Sequence, residues 1–137
     1  MNIVLDTNIL ISAIIKEGAT RNLIINSEQN FLLPEFEFLE IKNHKQEIIE
    51  KSGLSDQEFE DILLNLLKYI KIIWTEEIVN YREQAANIMG NIDKDDTIFI
   101  ATAFAYDAVI WSDDKHFQQQ NIVKILTTKD MFNLFKD

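Results

Sequence analysis

Short apolar runs alternate along this chain with longer stretches in which apolar residues recur every three or four positions. The first kind predicts buried strands, the second helices. Asn2–Leu5 is an apolar, β-branched run and predicts a strand. From Thr7 a helical pattern follows, with Thr7 or Asn8 available as its cap and Gly18 as its end. A second short helix is predicted from about Thr20 to Ser27. Phe31-Leu32-Leu33 predicts the second strand, and Pro34, at its favoured first-turn position, opens a long helix that runs to Gly53. Ser55 with Glu58 three residues later is a capping-box pattern for a further amphipathic helix. Lys71–Trp74 predicts the third strand and Glu77–Met89 a helix stopped by Gly90. The apolar segment Thr97–Ala108 fits strand or helix by periodicity alone. Its length, its early alanines and its acidic start at Asp93–Asp96 favour a buried helix. Val109-Ile110-Trp111 predicts the fourth strand, Ile122–Leu126 the fifth, and Thr127–Phe135 a closing helix.

Strands separated by helical segments of this length imply an α/β fold: a central parallel sheet of about five strands flanked by helices. At 137 residues, with one Pro, three Gly and no repeat, the chain reads as a single domain, 1–137. In such sheets ligands bind beyond the carboxyl ends of the strands. That gives meaning to Asp6, which interrupts two apolar stretches where the first strand should end.

Composition narrows the chemistry. Acids outnumber bases 23 to 13, a net charge of −10, which argues against nucleic-acid binding through a broad basic face but leaves room for a cation-mediated site. Cysteine is absent, which removes disulfides, thiolate metal sites and cysteine nucleophiles. No signal peptide pattern and no membrane-span-length apolar run is present, so the expectation is a soluble, cytoplasmic protein without a membrane partner.

The acids themselves recur at comparable places. Asp6 follows the first strand, Glu40 lies on the helix after the second, Asp95 and Asp96 start the buried helix, and Asp113 and Asp114 follow the fourth strand. Crowded carboxylates repel and tend to protonate, and a divalent cation relieves this. Hard cations take oxygen ligands, and Mg²⁺ combines a few carboxylates with water and substrate phosphate. The matching chemistry is phosphodiester hydrolysis. Each acid also has a plainer role available: Asp6 as a helix cap, Asp96 as a first-turn dipole partner, Glu40 paired with His44 or Lys45, Asp113-Asp114 as a polar turn. His44 and His116 read as surface residues, and Trp74 and Trp111 as core.

Val-Leu-Asp-Thr-Asn-Ile-Leu at 4–10, Leu-Pro with Glu40 six residues on, Asp96 with Ile100-Ala101-Thr102-Ala103 behind it, and Trp-Ser-Asp-Asp-Lys-His-Phe at 111–117 together resemble the PIN domain, the fold of metal-dependent ribonucleases that includes the VapC-type toxins of toxin–antitoxin pairs. The resemblance spans nearly the whole chain. It implies an acidic quartet of Asp6, Glu40, Asp96 and Asp114 around one or two Mg²⁺ or Mn²⁺ ions, with Asp6, Asp96 and Asp114 as metal ligands and Glu40 as a ligand or water-orienting base. Alignment to the apolar residues behind it selects Asp96 over Asp95, and counting back from Phe117 selects Asp114 over Asp113. Asn8 matches the position that steadies the first Asp, and Ser112 a hydroxyl position that is usually Thr. The implied activity is endoribonuclease cleavage of RNA, in a homodimer with a cognate antitoxin; the alternative is a non-catalytic PIN-fold RNA-binding or assembly module. A receiver domain, another small acidic α/β fold, needs an Asp at the end of its third strand, where this chain has Trp74-Thr75-Glu76.

Overall fold

A computed structural model describes residues 1–90 and 96–135. Five parallel strands, β1 (Asn2–Leu5), β2 (Asn30–Pro34), β3 (Ile70–Ile73), β4 (Val109–Trp111) and β5 (Ile125–Leu126), form one sheet in the order β3-β2-β1-β4-β5. The α/β sheet expected from the sequence is therefore the fold. β1 is central because its residues can be buried on both sides. Ile3 and Leu5 face one apolar cluster and Val4 the other, as the two-residue period of a strand requires.

The first cluster joins β1, β2 and Trp111 to α1 (Thr7–Ile15), α2 (Ala19–Asn26), α3 (Glu35–Asn43), α4 (Lys45–Ser52), α5 (Asp56–Leu66) and α9 (Thr128–Phe135). The second packs the other sheet face against α6 (Thr75–Ile78), α7 (Arg82–Met89) and α8 (Thr97–Tyr106). Because α8 carries apolar residues on every side, Phe99, Ile100, Ala101 and Ala103 can all be buried. Among the described residues no helix is long and apolar enough to cross a membrane.

Local signals hold where the chemistry is local. Ser55 and Glu58 form the capping box of α5, with the Glu58 amide donating to Ser55 Oγ at 3.1 Å and the Ser55 amide to Glu58 Oε1 at 3.0 Å. Gly53 ends α4 at φ 77°, a conformation that costs a residue with a Cβ.

Other boundaries differ from the sequence expectation. Asp6, not Thr7 or Asn8, occupies the cap position of α1, and Gly18 precedes α2 rather than ending α1. Pro34 closes β2 and stands before α3 instead of inside it. The single long helix expected from Pro34 to Gly53 is two, α3 and α4. The break falls at Asn43-His44, where helix propensity is weak, and Lys45 Nζ lies 2.8 Å from Glu60 Oε1, tying α4 to α5. The helix expected over Glu77–Met89 starts at Thr75 and is broken by a 3₁₀ turn at Val79–Tyr81, again a run of weak helix formers. β5 is shorter than Ile122–Leu126 because Gln120 Oε1 accepts the amides of Ile122 and Val123, which then have no need of a ladder. Trp111 is buried as expected, but Trp74 is 52% exposed, having left the sheet at the end of β3. The acidic stretch at 93–95 lies outside the described residues.

Candidate active site

The sheet order reverses direction between β1 and β4: the chain builds outward to β2 and β3, then returns to lay β4 and β5 on the other side. A parallel sheet opens a crevice at such a switch point, beyond the carboxyl ends of the strands. Register fixes what lines it. Leu5 pairs with Trp111, so the residues that follow, Asp6 and Ser112, emerge side by side. The Asp6 amide donates to the Trp111 carbonyl at 3.1 Å, and the Asp6 carbonyl accepts from the Ile9 amide at 3.0 Å to start α1. The Asp6 side chain makes no capping bond. Instead Ser112 Oγ donates to Asp6 Oδ2 at 2.6 Å, in a buried contact between residues 106 apart in sequence.

That hydroxyl has a second task, since Ser112 Oγ accepts the Asp114 amide at 3.0 Å. Asp114 Oδ1 then accepts the His116 amide at 2.9 Å. The loop after β4 is thus a relay from Asp6 to His116. It is anchored at its far end by Phe117, fully buried edge-on against Phe99 with ring centroids 5.8 Å apart. Phe99 is one helical turn beyond Asp96, so the same ring pair holds Asp96 and Asp114 together. One oxygen each of Asp96 and Asp114 and a nitrogen of His116 lie within 4.8 Å of one another.

Asp6, Glu40, Asp96 and Asp114 all line one cleft of about 560 Å³, floored by the sheet edge and walled by Ile11, Ile15, Ile41 and Ile48. They do not occupy it equally. Asp6 is 6% exposed, whereas the Glu40 side chain is more open and lies 3.4 Å from His44 Nε2, the pairing its sequence spacing allowed. Asn8 is exposed among the residues lining the cleft; the Ser112 hydroxyl bonds the Asp6 carboxylate directly, and the backbone amides of Asn8 and Thr7 also favour its charged form. Asp113, the acid not selected at the last motif, turns toward α9, where it accepts from the Thr128 amide at 2.8 Å and the Thr128 hydroxyl at 2.7 Å.

Two residues stand closer to the acids than their sequence positions alone indicate. Glu37 is buried and accepts from Thr7 Oγ1 at 2.7 Å. Its signal was present, because Glu37, Glu40, Ile41 and His44 share one face of α3 at helical spacing. His116 is exposed, as read from the sequence, yet it stands beside Asp96 and Asp114, and no spacing between the two histidines could have indicated that.

Electrostatically the pocket favours a cation. Burial raises the pKa of Asp6 above the ordinary 3.8; the Ser112 hydrogen bond opposes this, and the Asp114 charge adds to the rise. Oxygen-rich, acidic and partly dry, the cleft suits a hard divalent ion.

Comparison with known proteins agrees with this architecture. Residues 4–134 match the PIN domain family, and the chain belongs to it. Among solved structures it is similar to a chain of VapBC2 from Rickettsia felis, crystallised with a DNA fragment from its promoter, at 18% identity and a TM-score of 0.71, covering 93% of this chain and 98% of that one. It is also similar to a chain of VapBC-1 from nontypeable Haemophilus influenzae, at 19% identity and a TM-score of 0.65, covering 94% and 99%. No curated protein matches.

Proposed function

We propose that this protein is a metal-dependent endoribonuclease and the toxin of a toxin–antitoxin pair. The observation that carries the proposal is the meeting of Asp6, Glu40, Asp96 and Asp114, from four separate elements, in one cleft at the switch point of a PIN-family sheet. A plain helix cap would have no reason to be buried against another strand's hydroxyl and beside a second carboxylate, yet this is the setting of Asp6.

In this proposal Asp6, Asp96 and Asp114 hold one or two Mg²⁺ or Mn²⁺ ions, and Glu40, more open to solvent, is a further ligand or orients the attacking water. A divalent ion so held supplies a water of lowered pKa and offsets charge on the phosphate. Ser112 fixes Asp6 and Asp114 with one hydroxyl, and Asn8, exposed in the cleft lining, is placed to meet the substrate. Two histidines at 2′-hydroxyl distance are not part of the scheme, so the expected products carry 5′-phosphate and 3′-hydroxyl ends. RNA reaches an acidic cleft only if the cation is already there, which makes cleavage strictly metal-dependent.

The likeness to chains of VapBC assemblies supports a protein antitoxin as partner. Phe36 and Leu39, exposed on α3 beside the cleft, offer apolar surface for that partner or for a second copy in a homodimer. Cytoplasmic action follows from the RNA substrate. The test is cleavage of structured and single-stranded RNA by purified protein with Mg²⁺ or Mn²⁺. Cutting should stop in EDTA and return on adding metal; RNA bound but left intact under every metal condition would instead identify a non-catalytic binding module.

A further inference from the structure

We infer that His116 is a ligand of the cation: its imidazole nitrogen joins Asp96 and Asp114 in a mixed nitrogen–oxygen site that favours Mn²⁺ over Mg²⁺. The inference rests on the metal site proposed above and goes beyond its acidic quartet. His116 Nδ1 lies 3.8 Å from Asp96 Oδ2 and 3.7 Å from Asp114 Oδ1. Two donors bound to one ion at ~2.0–2.2 Å each can stand no more than about 4.4 Å apart, so both separations lie within the reach of a single ion. Both separations exceed the roughly 2.7–3.2 Å of a direct hydrogen bond and also match ion pairs of a protonated imidazole, a counter-ion role that the His116→Lys variant below distinguishes from metal ligation.

The spacing is held from both sides. The His116 amide donates to Asp114 Oδ1 at 2.9 Å, so imidazole and carboxylate belong to one tight turn. The next residue, Phe117, is buried against Phe99 and fixes that turn on the helix that carries Asp96. The three side chains also grade in exposure. Asp96 is 13% exposed, Asp114 33% and His116 49%, which leaves the imidazole side open to water and to a phosphate oxygen.

Donor chemistry then sets the ion. Carboxylate, carbonyl and water suit Mg²⁺ and Mn²⁺ alike, whereas imidazole suits transition metals, and Mg²⁺ is reluctant to exchange water for other ligands. A site with one imidazole therefore takes Mn²⁺, and more so Co²⁺, in preference to Mg²⁺.

The chain has two histidines, so a nitrogen signal on the metal can be assigned by elimination. The experiment is pulsed electron paramagnetic resonance of the Mn²⁺-loaded full chain, with Mn²⁺ and Mg²⁺ affinities measured by calorimetry. Parent protein and His44→Gln should show ¹⁴N coupling to Mn²⁺, and His116→Gln should lose it. His116→Gln should bind Mn²⁺ at least about tenfold more weakly while Mg²⁺ binding changes little. His116→Lys separates ligand from counter-ion, because it keeps a cation but has no free nitrogen lone pair, and it should lose the coupling too. Mn²⁺ bound by the parent without ¹⁴N coupling, or coupling that survives in His116→Gln, would overturn the inference while leaving an all-carboxylate metal nuclease standing. Failure of the parent to bind either ion would overturn both.

Discussion

The two ends of the central strand are both polar, but their polarity is of opposite kinds. At the amino end, Asn2 Nδ2 donates to the Tyr106 carbonyl at 2.8 Å and Asn30 Nδ2 to Asn2 Oδ1 at 3.2 Å. These are neutral groups closing a gap between neighbouring elements. At the carboxyl end, the Asp6 carboxylate is buried; the Ser112 hydroxyl and the nearby backbone amides of Asn8 and Thr7 favour its charged form, and the Asp114 carboxylate opposes it. Groups of the first kind, half-buried or exposed, are neutral and paired by the protein itself. The second kind is costly to ionise, because burial and a neighbouring carboxylate both disfavour the charged form, and the proposed cation would relieve that cost. Substitutions at the amino end should therefore cost stability and spare chemistry, and those at the carboxyl end should do the reverse.

The largest effect is expected from Asp114→Asn, which should reduce RNA cleavage by at least about 100-fold, because losing a few kcal/mol of charge stabilisation by the metal costs that much in rate. Initial rates at saturating Mn²⁺ check it. Ser112→Ala comes next. It removes a hydroxyl that both steadies Asp6 and holds the Asp114 amide, and should weaken metal affinity or activity about 10–100-fold, measurable by calorimetry.

Asp6→Asn sharpens the contrast through pH. The folded-state pKa of Asp6 is raised, so the folded protein favours the protonated form, and its contribution to stability is lost as pH rises from below 3.8 through that raised value. In EDTA, Asp6→Asn should therefore gain stability relative to the parent as pH rises toward neutrality. Denaturant midpoints across pH would show this, and a variant that falls further behind the parent at neutral pH would mean that the carboxylate is chiefly structural. Asn2→Ala, at the other end, should lose about 1 kcal/mol of stability with unchanged cleavage per folded molecule. Asp113→Asn is expected to be smallest: one acceptor remains for Thr128, so stability should drop by less than about 1 kcal/mol and cleavage should not move.

The same contrast explains what was legible in the sequence. β1, β4, the Ser55–Glu58 box and the Gly53 stop are written in a few consecutive residues, and local pattern suffices for them. The placing of Asp6 at a strand end follows from that strand alone. What local pattern does not contain is the neighbour. That Ser112 bonds Asp6, that Asp113 belongs to α9, and that His116 faces Asp96 all depend on pairings between distant segments. The break at His44 and the shortening of β5 were hidden for a related reason: a helix tie to Glu60 and a Gln120 side chain supplied alternatives that periodicity does not weigh. Trp74, apolar in pattern, is exposed because it lies just past the last paired residue of β3.

The 106-position separation of Asp6 and Ser112 also sets a clock. A ribosome adding about 5–20 residues per second makes the first half of the cleft roughly 5–20 s before the second. Through that interval the nascent chain has β1 without β4, and the proposed metal site is incomplete. On the proposed function, a protein of this topology is unarmed while it is being translated, and a cell has that long to bring the proposed partner to meet it.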